Sequence, residues 1–177
     1  MKYFFAVLTI VILSSVLSAN AQNQMRVGGE VGIQLPMGDF GDAAKTGFGI
    51  SGIFHYQVEP NIIVGGTIGY QSWSGEYNMY SFSNIPIMGI FNYMFSTEKF
   101  RPFVGAELGL NSTTTSVEYF GVSGSDSEMN LGFNLLGGVE YDINEKLILR
   151  ANVKYNIIFE DSNITFFGIN AGVMYRI

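Results

Sequence analysis

Six ionisable side chains fall where extended chain would turn them to a common side: Glu30, Glu107 and Glu140, against Arg150, Lys154 and Arg176. Buried charges must be paired or neutralised. Three carboxylates with three cations therefore suit a structural salt-bridge network that plugs a lumen. The same set also suits an ion path or gate, but a plug is preferred, because small barrels lack an aqueous channel. The one histidine, His55, stands in "FHYQV", with Gln57 rather than a serine two residues on. It reads as a lumen hydrogen-bonding residue, not part of a Ser/His/Glu set. Cysteine is absent, which excludes disulfides, thiolate metal sites, a cysteine nucleophile and an acylated cysteine at a cleavage site. No catalytic residue, metal ligand or cofactor is expected, and the chain reads as a non-enzyme.

These side chains need strands to position them, and the clearest is "LILRANVKYNII", residues 147–158. Leu147, Leu149, Ala151, Val153, Tyr155 and Ile157 share one face. Arg150, Asn152, Lys154 and Asn156 share the other, between Ile148 and Ile158. Similar alternation predicts strands near 25–35, 47–58, 62–73, 81–95, 101–113, 129–142, 147–158 and 165–177. No helical period competes. Each strand is long beside the mode of about 5–6 residues in globular proteins, and long enough for a tilted membrane-spanning strand of about 9–11. The connections "EPN", "STEKF" and "NEK" are short. Those at 36–46, 74–80 and 111–128 are longer, the last of them partly strand, with 160–163 an exception. Short turns at one end and longer loops at the other suit an outer-membrane barrel. An even number of strands puts both termini at the turn end.

Composition sets the surroundings. Charged residues make up 14% and hydrophobic residues 47% of the 177, where a soluble domain carries about 25% charged residues. The net charge of −6 argues against nucleic acid, since no basic patch meets phosphates. The N-terminus reads as a secretory signal over 1–21. Lys2 opens it, "YFFAVLTIVIL" is its apolar stretch and "ANA" its cleavage site, so the barrel domain spans 22–177. A retained anchor helix is the alternative, but the apolar stretch is short for a span of about 20 residues.

One strand face carries large apolar residues, such as Val31, Ile50, Ile68, Phe91, Leu108, Leu135 and Ile169. The other carries Gly28, Gly32, Gly65, Gly138 and Gly172, with Gln34, Ser51, Thr67, Asn92, Asn134 and Asn170. An eight-stranded interior is just wide enough to be filled by side chains, so the small and polar face must be the inner one. Leu149 and Tyr155 then meet lipid, while Arg150 and Lys154 point inward. The reverse assignment gives a soluble lipocalin-like barrel, which this charge-poor chain suits badly. Tyr56, Tyr70, Tyr93, Tyr141 and Tyr175, near strand ends, are expected to form interfacial girdles. Across "NEK", residues whose numbers sum to 290 face each other. That sets Glu140 opposite Arg150, Tyr141 opposite Leu149, and, by the same logic at the first turn, His55 opposite Gly65.

With these strands and the terminal "FFGINAGVMYRI", the chain resembles the small eight-stranded outer-membrane β-barrel family, the type of OmpX, the OmpA transmembrane domain and opacity-like proteins. The resemblance covers the mature chain. It implies an antiparallel up-and-down transmembrane barrel, a monomer in the Gram-negative outer membrane, reached by Sec-type export. It also implies that Phe167, Ile169, Val173, Tyr175 and Ile177 serve as an assembly signal for the barrel-insertion machinery, although Ile177 stands where the family ends in Phe. Outer-membrane lipid and lipopolysaccharide are the expected partners, with a host or surface ligand at the loops. Some barrels of this size modify lipid A with a His/Ser/Glu set on the outer wall; His55, with its inward parity, departs from that pattern. Transport through a narrow porin-like pore, as in OmpW-like barrels, is the alternative role. Asp39, Asp42, Glu76, Glu118, Asp126, Glu128, Glu160 and Asp161 make the outer loops acidic, with Lys45 alone opposing them. Divalent cations bridging to lipopolysaccharide phosphates would use such carboxylates, but the spacing matches no calcium loop, and solvated loops are preferred. The segment Gly121–Glu128 reads as a mobile tip.

Overall fold

Strong alternation of large and small residues gives strands with two unlike faces, and closing the sheet buries one of them. The computed structural model describes residues 25–75, 80–119, 122–160 and 162–177. The expected signal segment and its cleavage site, Glu76, Asp161 and the side chain of Glu118 lie outside what is described. The strands are β1 (Met25–Met37), β2 (Gly47–Glu59), β3 (Ile62–Ser74) and β4 (Tyr80–Met94), then β5 (Phe100–Tyr119), β6 (Val122–Asp142), β7 (Leu147–Ile158) and β8 (Ile164–Arg176). Each pairs antiparallel with its sequence neighbour, and β8 closes on β1, so the sheet has no lateral edge through the barrel wall.

The faces fall as alternation predicts. Ile33, Leu135, Val153 and Ile169 are each about half exposed on the outside, one apolar residue of a belt that runs round every strand. A continuous apolar belt of this extent on a closed barrel belongs in a bilayer. Four of the expected girdle tyrosines, Tyr56, Tyr93, Tyr141 and Tyr175, sit at the turn end of their strands, and Tyr70 lies toward the opposite end. Tyr93 packs edge-on against Phe95 at 5.4 Å.

Three features differ from the sequence expectation. The segment 111–128 is mostly not a loop: β5 and β6 stay paired out to Tyr119 and Val122. At 20 and 21 residues against 13 in β1, they form an arm rising above the other hairpins. The mobile tip expected at Gly121–Glu128 is therefore strand from Val122 onward. Second, the first outer loop contains a short helix, α1 (Gly38–Ala43). It begins at Gly38 with φ of +57°, a left-handed conformation that glycine adopts without strain. α1 carries Phe40 into the barrel mouth, edge-on to Trp73 at 5.4 Å and to Phe82 at 5.5 Å. Third, the interior is not only small and polar. Ile53, Ile90, Ile148 and Met174 form one buried apolar cluster, and Ile63, Met94, Phe103 and Leu136 another.

Neighbouring strands explain how these fit. Phe103 faces Gly138, Leu136 faces Gly105 and Ile53 faces Gly28. Large residues on one strand fill the space that glycine leaves on the next, the small/large alternation a tapered interior needs.

Candidate functional site

The charged interior is built from the turn ends of the strands inward. "NEK" places Glu140 opposite Arg150, as the register arithmetic requires, and Arg150 Nη1 donates to Glu140 Oε1 at 2.8 Å. Glu140 is fully buried and serves two more cations. Arg26 Nη1 lies 3.0 Å, and Arg101 Nη2 3.4 Å, from Glu140 Oε2. Deeper in, Lys154 Nζ donates to Glu107 Oε1 at 2.9 Å and lies 3.5 Å from Glu30. Asn134 and Asn152 complete these two carboxylates, with bonds of 2.7 Å to Glu107 and 2.8 Å to Glu30. Arg150 Nε approaches Glu30 at 3.8 Å and so joins the two groups. The Arg150 guanidinium also lies over the Phe103 ring, 4.0 Å from its centroid, a geometry that planar guanidinium favours.

Gly172 makes room for this crossing. It pairs with Glu30 on one side and Arg150 on the other. A Cβ there would meet Glu30 Cα at 2.7 Å, so any side chain would push the two charged strands apart.

Five of the six residues singled out by parity thus meet in one network. Arg176 stands apart, at the turn end, where Nη2 donates to Asp142 at 2.6 Å and 2.7 Å. It connects only through Asp142, which Arg101 also grips with two donors. Sequence reasoning missed Arg26, Arg101 and Asp142. Their parity matches Gly28, Phe103 and Glu140, so the signal was present at the strand ends. With them the described interior holds one cation more than its carboxylates.

His55 faces Gly65 and is completely buried. Its Nδ1 lies 4.0 Å from Glu140 Oε1, and its Nε2 3.5 Å from Asn92 Nδ2. The chain's one imidazole is therefore inside the barrel, away from the lipid-facing wall. Among the described residues, no group of three or more His, Cys, Asp or Glu is placed to hold a metal ion.

Above the charges lies an amide belt. Gln34 Nε2 donates to Asn170 and Asn170 Nδ2 to Asn152, while Asn84 donates to both Gln71 and Asn111. An interior void beside Thr67, Gln71, Glu107 and Lys154 measures about 10 Å³, no more room than one water takes. The arrangement can hold eight strands in register.

The C-terminal residues Phe167, Ile169, Val173, Tyr175 and Ile177 all project outward from the end of the chain, between 37% and 73% exposed.

Comparison with known proteins agrees with this architecture. Neisserial surface protein A, at 21% identity, superposes with a TM-score of 0.65 over 85% of this chain and 96% of its own. Ail of Yersinia pestis, at 13% identity, gives 0.65 over 89% and 100%. OprG of Pseudomonas aeruginosa, at 14%, gives 0.61 over 90% and 98%. At these identities the likeness concerns the fold. An uncharacterized protein of Haemophilus influenzae is 28% identical over 83 residues, 46% of each chain, so the match spans just under half of that relative. The family model for the outer membrane protein beta-barrel domain matches residues 4–176. The lipid-facing belt on a closed eight-stranded barrel agrees with that match, and this chain belongs to the outer membrane protein beta-barrel family, as a protein of the bacterial outer membrane.

Proposed function

We propose that this is a non-enzymatic, non-conducting envelope barrel that acts through its outer end, where the β5–β6 arm docks an extended, basic segment of another macromolecule. The observation that carries this is the arm's free edge. β6 pairs with β7 only from Gly132 inward, with Phe159 N–H adding one bond to Leu131 O. Above that, among the described residues, β6 is paired on its β5 side alone. Unpaired strand edges recruit further strands. Asp126 and Glu128 on this edge select for positive charge. Ail has been solved with the heparin analogue sucrose octasulfate; the acidic rim here disfavours such a polyanion. The packed lumen supports the same reading over a porin-like one.

Support for membrane assembly comes from the outward ridge of β8. Its alternating Phe167, Ile169, Val173, Tyr175 and Ile177 present an apolar edge to the insertion machinery, with lipid and lipopolysaccharide as the surroundings of the folded monomer.

The test removes residues 114–127, which takes away most of the free edge together with Asp126, and rejoins Thr113 to its partner Glu128 with a two-residue turn. Binding of a synthetic peptide of alternating lysine and valine is then measured by surface plasmon resonance at low salt. The full-length protein is expected to bind and the shortened one, with unchanged circular dichroism, to lose binding. Equal binding by both would overturn the proposal.

A further inference from the structure

Below the arm, the outer mouth of the barrel forms a cup of about 200 Å³. That is smaller than the roughly 300–1,000 Å³ of drug-sized sites. Its floor is aromatic. Phe40, delivered by α1, meets Trp73 and Phe82 edge-on, and Trp73 in turn meets Phe166 at 5.0 Å. Its rim is acidic: Asp126, Glu128 and Glu160 line it, and among the described residues no Lys, Arg or His does. Glu160 is positioned, because Thr113 Oγ1 and Asn130 Nδ2 each donate to its Oε1 at 2.8 Å.

A second observation is independent of the carboxylates. Asn84, which lines the cup and is 2% exposed, keeps a polar atom without a hydrogen-bond partner. Asn84 spends both amide hydrogens on Gln71 and Asn111 and leaves Oδ1 as an acceptor. Buried polar groups are rarely left unmatched unless something else matches them.

We propose that this cup binds a small organic cation, an ammonium group carried on an aromatic or aliphatic body. The apolar body would rest on Phe40, Trp73 and Phe82. The ammonium donates three hydrogens and accepts none, which suits a rim of carboxylates and the free Asn84 Oδ1. Anions are repelled by the three carboxylates, with no basic side chain among the described lining residues to offset them. The site does not depend on docking at the arm's edge: shortening the arm by 114–127 leaves Glu128 and Glu160 in place.

The chain holds one tryptophan, and it lines the cup, so its emission reports occupancy. The refolded protein is titrated with benzylamine, benzyl alcohol and benzoate. Benzylamine is expected to give a saturable change in Trp73 emission, with benzyl alcohol weaker by about tenfold, as loss of hydrogen bonds to charged groups implies, and benzoate silent. The exposed-rim variant D126N/E128Q and, separately, E160Q are expected to weaken benzylamine about tenfold and leave benzyl alcohol unchanged. Equal responses to the three compounds, no saturable response to benzylamine, or full benzylamine affinity in both variants would each overturn the proposal.

Discussion

Replacing Glu140 with alanine is expected to remove about 3–5 kcal/mol of folding stability, the usual result of deleting one partner from a buried ion pair. Glu140 sits at the centre of three guanidinium groups, from Arg26, Arg101 and Arg150. All three are almost completely buried. An intact buried pair contributes little net stability, because desolvation offsets attraction. Deletion is different. The substitution leaves desolvated cations facing one another with their shared anion gone. The remaining carboxylate within reach of Arg101, Asp142, is already engaged with Arg176. Equilibrium urea unfolding in lipid vesicles measures the change, with exposed Glu145→Ala as the comparison. Glu145→Ala should lie near wild type. If Glu140→Ala also unfolds at the wild-type midpoint, the network does not staple the barrel.

The second large effect concerns the outer face. Val153→Arg is expected to cost about 2–4 kcal/mol, the range for a cation on the lipid face near the bilayer midplane. Val153 lies midway along β7 and is 49% exposed. Its neighbour Lys154 carries the same kind of charge and is accommodated, because it points the other way, onto Glu107 and Glu30. One step along the strand therefore separates a tolerated cation from a costly one. The same unfolding assay reads it. A Val153→Arg protein as stable as wild type would mean that this face is wetted, and the assignment of inside and outside would fail.

The path from sequence to structure explains which features alternation carries. Within the bilayer the two faces of a strand meet unlike surroundings, so Leu149, Arg150 and Val153 declare their sides in the sequence itself. Above the bilayer both faces of the arm meet water. "NSTTTS" and "SGSDSE" then have no reason to alternate, and strand there reads as loop. α1 has only six residues, less than two turns, too few for a helical period to register. The inward placement of Phe103 and Leu136 depends on Gly138 and Gly105 across the neighbouring strands. Such complementarity is a property of strand pairs, which periodicity within one strand does not express. Glu140 and Arg150 were legible because a short turn fixes register between adjacent strands. Arg26 reaches Glu140 across the barrel from 114 positions away, and only closure of β1 on β8 brings them together. The cup is the same kind of feature: Phe40, Trp73 and Glu160 come from three separate outer connections or strand ends.

The claim that the lumen is a closed plug, with function confined to the outer end, meets its most direct test in single-channel recording. The refolded mature protein is inserted into a planar bilayer, with Glu140→Gln measured alongside. Silence from folded wild-type barrels is the predicted result. Discrete conductance steps whose size changes in Glu140→Gln would show that the charged residues line an open path, and would contradict it.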